Sequence, residues 1–236
     1  LSGGVAVSGA VGIGATVAIN LLDRDTRAAI GQQDLEDSDS SGKPTGEART
    51  LKTSGNVKVD AKNTGIIVAG AIAGAGASGK SSSTDPKDAK ESKTGGKFGV
   101  GISANVSINK VDDDTLAYVH DAAVEATNLT ITAQNPTDIW ALGLAASAAS
   151  ASDVTVALSG TYGQNTLRLN TQSFADNSHI VLAGDFKQSA KNTGDLISVA
   201  IGASLAVSSG GQGTSAAVPI GVSVSRNEVN NTASAY

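Results

Sequence analysis

Cysteine and methionine are absent from the 236 residues, and the aromatic complement is one Trp, three Tyr and three Phe. Without thiols the chain can form no disulfide framework, no thiolate metal centre and no cysteine nucleophile. With so few rings, the 40% hydrophobic content rests on Val, Ile, Leu and Ala, so any core must be thin and built of small layers. Basic residues are outnumbered by acidic ones, 17 to 22, giving a net charge of -5 and a pI near 4.9. Nucleic-acid affinity depends on clustered Lys and Arg, so this balance argues against a nucleic-acid partner. The chain has no initiator methionine and no charged-then-apolar leader, and it reads as an excised piece of a longer protein.

What the chain does have is repetition. NVKVDAKNTG at 56–65, NLTITAQNPT at 128–137 and DFKQSAKNTG at 185–194 each place an alternating segment before an Asn-centred turn, spaced 72 and then 57 residues apart. A second element, ATVAINLLDRDT at 15–26, matches SANVSINKVDDDT at 103–115, with a weaker relative, IGVSVSRNEVNNT, at 220–232. Irregular repeats with inserts between them predict a solenoid or stacked array.

Within each repeat the apolar pattern has period two, which is strand periodicity. Val5, Val7, Val11, Ile13, Ala15, Val17, Ile19 and Leu21 share one parity, and Ala6, Ser8, Gly12, Gly14, Thr16 and Ala18 share the other. The expected register turns the β-branched set inward, with Val17 inside and Thr16 outside, and leaves a Gly/Ala/Ser face free for lateral packing. The uncharged run 1–22 has the length of a membrane-spanning helix, but its parity and glycine content argue for strand. A membrane barrel would need aromatic girdles that seven rings cannot supply. Membrane insertion of this segment is therefore not expected. The whole of 1–236 is read as a single β-solenoid segment, with polar loop inserts at 31–55, 79–97 and 208–215.

The alternating Gly/Ala/Ser/Val strands that end in VAIN or VSIN, followed by an acidic turn and the steps Thr26 to Ala29 and Thr115 to Tyr118, resemble the repeat region of large Gram-negative two-partner-secretion adhesins. These are the filamentous-haemagglutinin-like and fusobacterial leukotoxin-type proteins. The resemblance covers most of the chain. It implies a parallel β-helix or related β-solenoid, export to the bacterial cell surface, and a structural stalk or passenger role in attachment and virulence. The implied partners are a host or neighbouring-cell surface, or copies of the chain itself. A self-assembling extracellular fibre subunit and a carbohydrate-active β-helix enzyme are the alternatives.

No catalytic or cofactor-binding residues are assigned, and the chain is not expected to be an enzyme. GAGASGKS at 74–81 satisfies the P-loop pattern, but SSSTDPKDAKESKTGG follows, with Pro86 early and no apolar stripe to dock the helix that phosphate cradling requires. Asp112, Asp113 and Asp114, with Asp23 and Asp25 at the matching position, are the candidate ligands for calcium, the one cofactor such hard oxygen donors suit. His120 and His179 occur in no ligand spacing and are expected at turns or on the surface. Thr130 and Thr132 form a T-x-T pair that sister segments break with Lys58, Asp60 and Lys187, which disfavours an ice-binding array.

Overall fold

A computed structural model describes residues 1–31, 49–79, 98–209 and 215–236. All regular structure among them is strand: β1 (Ser2–Ser8), β2 (Val11–Gly31), β3 (Arg49–Lys52), β4 (Asn56–Lys62), β5 (Gly65–Ser78), β6 (Phe98–His120), β7 (Ala122–Ala126), β8 (Asn128–Asn135), β9 (Thr137–Ala151), β10 (Val154–Asp176), β11 (His179–Leu182), β12 (Phe186–Asn192), β13 (Leu196–Ser208) and β14 (Ala216–Ala235). No helix among the described residues is long and apolar enough to cross a membrane.

Every pairing between these strands is parallel, and the strands sort into four sheets: β1-β5-β9-β13, β2-β6-β10-β14, β3-β7-β11 and β4-β8-β12. One coil therefore contains one strand from each sheet, and three coils stack with β1 before them and β14 after. This is the parallel β-helix expected from the repeats. The repeat registers also hold in space, since Ala61 pairs with Ala133 and Ala133 with Ala190. Ala15 to Thr26 lie beside Ala104 to Thr115 in the same way.

The cross-section has two parts. At one end is a body closed by the third and fourth sheets, with an aliphatic core of Val59, Ala117, Val119, Val124, Leu129, Ile131 and their neighbours. At the body's corner, Asp121 and Asn177 take up left-handed backbone conformations in successive coils. Short Asx side chains tolerate this region, and the Asn177 amide donates to the Asp121 carboxylate. The other end is a flat wing, in which the first sheet lies directly against the N-terminal halves of β2, β6, β10 and β14.

The wing inverts the expected register. Thr16 is 8% exposed and Val17 is 56% exposed. In β6, Gly99, Gly101, Ser103, Asn105, Ser107 and Asn109 are buried, while Val100, Ile102, Val106 and Ile108 are only partly covered. The reason is the closeness of the two backbones. A β-carbon added to Gly12 would lie 2.1 Å from the Gly76 carbonyl oxygen, and one on Gly14 would lie 2.0 Å from that of Gly74. Sheets commonly stack about 10 Å apart with branched side chains between them. Here there is no room for such side chains, so the smaller set lies inside and the β-branched set is displaced to the two outer faces.

The inserts need one adjustment. Within 31–55, residues Arg49–Lys52 form β3, whose Leu51 stands beside Val124 and packs on the body core. A single inward leucine in a polar stretch gives no periodic signal. Residues 32–48, 80–97 and 210–214 of the inserts lie outside the described residues.

This register predicts that Thr16→Asp lowers thermal stability by about 2–4 kcal/mol, because the carboxylate enters the interior without a partner. Val17→Asp, on the outer face, should cost under about 1 kcal/mol. Gly12→Ala should cost about 1–3 kcal/mol by forcing the sheets apart. Thermal melts of the three variants check the assignment, and a larger loss from Val17→Asp than from Thr16→Asp would overturn it.

Candidate functional site

The narrow wing leaves polar side chains of one sheet within reach of the other sheet's carbonyl oxygens. Asn20, Asn109, Asn165 and Asn227 occupy one inward position in β2, β6, β10 and β14. Asn20 Nδ2 donates to Asn109 Oδ1 at 2.8 Å, Asn109 Nδ2 to Asn165 Oδ1 at 2.8 Å, and Asn165 Nδ2 to Asn227 Oδ1 at 3.0 Å. The same amides donate across the wing to the carbonyls of Val68, Trp140 and Ile197, each at 2.8 Å, and of Leu196 at 3.3 Å. Asn20, Asn109 and Asn165 thus each tie their strand both to the next coil and to the opposite sheet, and Asn227 ends the ladder by accepting from Asn165. Asn105, Thr155 and Thr161 make similar cross-wing bonds to Ala71, Val207 and Ile201.

This ladder was only partly visible in the sequence. The copy at 159–171 escapes repeat comparison because Tyr162 and Gln164 replace the branched residues of its relatives, although Asn165 keeps its place. An Asn recurring in the midst of alternating strands was the available signal.

Where the wing joins the body, Arg24 faces inward beside Asp113, which is fully buried. Arg24 Nε donates to Asp113 Oδ1 at 2.8 Å and its Nη2 to Oδ2 at 2.5 Å. Arg24 Nη2 also reaches Thr137 Oγ1 at 3.0 Å, and Asn135 Nδ2 donates to Asp113 Oδ2 at 3.3 Å. Asp113 is therefore occupied as the centre of a structural network. Strand alternation sends Asp112 and Asp114 to the opposite side, where Asp112 sits 3.4 Å from Arg168. The three consecutive carboxylates of the calcium reading do not converge. Asp23 and Asp25 lie beside Asp112 and Asp114 on the outer face. There Asp25 hydrogen-bonds the Arg27 guanidinium, which holds that group above its usual range against the opposing effect of burial.

His120 lies at the body's corner, one of the two expected positions, and is buried there. Its Nε2 lies 3.6 Å from Asp121 and its Nδ1 3.4 Å from Asp176. Its burial between these carboxylates is a feature that ligand spacing could not disclose. His179 is exposed in β11. The Gly74 to Ser78 part of the P-loop pattern is the end of strand β5, with Gly74 on the outer face beside Val5, and Lys80 and Ser81 lie outside the described residues.

Both outer faces of the wing are apolar. Val5, Val7, Ile72, Leu144, Ile201 and Leu205 are exposed on the first sheet, and Val11, Ile13, Ile19, Ile220 and Val222 on the second. The first-sheet face contains a groove of about 470 Å³ whose floor includes Gly74, Gly76, Ala146 and Ala148, with Val5 and Val7 on one side and Leu205 on the other. No family model, curated protein or solved structure matches the chain.

Asn109→Ala should destabilise the chain by about 2–3 kcal/mol, since it strands the bonding groups of Asn20 and Asn165. Asn109→Asp should cost more at neutral pH, because a carboxylate would face the Trp140 carbonyl and the Asn165 oxygen. Burial raises the folded-state pKa of such a carboxylate, so stability should fall as pH rises through the carboxylate range and recover in acid. By contrast Ser103→Ala removes a buried hydroxyl that has no partner among the described residues and should be neutral or stabilising. Urea melts of these variants at two pH values check the three outcomes.

Proposed function

We propose that this chain is a structural segment of a secreted bacterial surface adhesin, a stalk or passenger region that supports attachment. The observation that carries the reading is the side-chain ladder. Asn20, Asn109, Asn165 and Asn227 lock successive coils to one another and the two wing sheets together. The amides of this ladder hold coils in register, and the Arg24 and Asp113 pair does the same at the junction. Such an arrangement suits a rod whose work is mechanical, since each coil is held by the one before it and its hydrogen bonds lie along the stacking axis. The resemblance of the VAIN and VSIN repeats to two-partner-secretion adhesins points the same way and adds the cell surface as location.

Antibodies raised against the purified chain should label intact cells of the parent bacterium, and external protease should abolish the label. Deleting one whole coil from the parent protein should keep it on the surface while changing attachment. Labelling that appears only after lysis would overturn the proposal. Loss of the junction pair bears on the mechanical part: Asp113→Ala leaves Arg24 facing the interior and should cost about 3–5 kcal/mol. The Arg24→Met, Asp113→Leu double variant should cost far less than the sum of its single changes, as read by denaturant melts.

A further inference from the structure

The wing's exterior calls for a partner. Parallel sheets are ordinarily covered on both faces, and apolar patches beyond a few hundred Å² on a soluble surface mark interaction sites. With seven residues from β1 and ten to thirteen from each other strand in the wing, the usual strand spacing and rise give a face of roughly 650–750 Å². That lies within the range of a standard-size protein interface, which centres on roughly 800 Å² per partner. Both sides of the wing offer such a face.

The two faces are also unlike in shape, and in a complementary way. On the first sheet the central strands β5 and β9 carry Gly74, Gly76, Ala146 and Ala148, forming the groove floor. Behind the Gly76 and Ala148 end of that groove the central strands β6 and β10 of the second sheet carry branched residues, which give way to Ala104 and Gly160 behind the Gly74 end. Gly12 and Gly101 face Gly76 and Ala148 across the wing, which places Val100, Ile102 and Leu158 directly behind the groove. A groove on one side is thus backed by a ridge on the other.

We propose that the wing is a self-association surface, on which the second-sheet ridge of one copy of this chain seats in the first-sheet groove of another. The contact is heterologous, joining unlike faces, so it does not close at a dimer and builds a lateral array of wings stacked face to face. It uses the β-branched faces and leaves the Gly/Ala/Ser faces inside each wing. Self-association of the wing does not depend on what the rod attaches to, so failure of the adhesin reading would leave it standing.

The test uses two outward positions, Ala146 on the groove floor and Leu158 on the ridge. Sedimentation velocity of the purified chain should show association that grows with concentration. Ala146→Lys and Leu158→Glu should each reduce association at least tenfold while leaving the far-UV spectrum unchanged, with Ala148→Lys as a second groove variant should the first lose its fold. An equimolar mixture of Ala146→Lys and Leu158→Glu should recover association. In the mixture each lysine groove meets a glutamate ridge, and each unaltered ridge meets an unaltered groove. A like-face contact gives a different pattern, with one variant associating normally and no recovery from mixing, and would overturn the proposal. So would a chain that stays monomeric at all concentrations, or one that associates only with phosphatidylcholine vesicles in a co-sedimentation assay.

Discussion

The constraint on which the rest of this structure depends is the close approach of two backbones. Across the wing, the carbonyl of Gly76 occupies the space that a β-carbon on Gly12 would need, and Gly74 stands in the same relation to Gly14. Once the sheets are that close, side-chain choice follows. Inward positions are Gly, Ala, Ser, Thr or Asn, with Pro219 in the terminal strand β14 the exception, and the remaining parity takes the branched residues that favour extended backbone. The low aromatic content has the same origin, because a ring can enter such a layer no more easily than an isoleucine can. The few stacked rings, Tyr118 on Phe174 and Phe174 on Tyr236, lie at the body end, where there is space for them.

A layer this thin buries little branched hydrocarbon, so something else must fix how coils align. Inward amides serve that purpose. The Asn109 amide bonds to the next coil and to the opposite sheet at once, and it can do both only when each strand is in register. A slip of one residue would point the amides at solvent and push valines into a space that cannot hold them. Polar groups inside the wing therefore specify one arrangement, and the aliphatic core of the body supplies much of the solvent-driven stability. The pair of part-buried Arg24 and buried Asp113 stands between the two regions and belongs to the first kind. Its desolvation makes it a weak source of net stability but a strong penalty on any misalignment that separates the charges.

Much of this was legible in the sequence, though not the sense of the register. Period-two alternation in Val5 to Leu21, the AKNTG turns and the paired VAIN and VSIN segments lead to stacked parallel strands, and their spacing is reproduced residue for residue in the pairing. Which parity faces inward was not legible, because neither parity is charged over the wing and both can be buried. The usual inference assigns the larger apolar residue to the core, and it assumes a gap between sheets that only the facing glycines of two distant segments reveal. Gly12 and Gly76 are 64 residues apart, and their opposition is a property of the coil, not of either segment. The burial of His120 was not legible for a similar reason, since the corner where it lies brings together Asp121 and Asp176. The consecutive aspartates were read as one cluster, whereas strand alternation alone separates Asp113 from its neighbours.

The inverted wing also changes how the branched residues contribute. On an outer face, Val100 stands beside Val11 and Val156 along the stacking direction, and Ile102 beside Ile13 and Leu158. These ladders cover the hydrogen bonds between coils and give each added strand a neighbour of its own kind. They therefore stabilise the stack coil by coil, along the stacking axis. The same ladders leave two broad apolar faces toward solvent, which a chain of net charge -5 carries without charges of its own in that band to protect it. Tight packing inside the wing and exposed apolar faces outside it thus have a single cause, the placement of the small residues between the sheets.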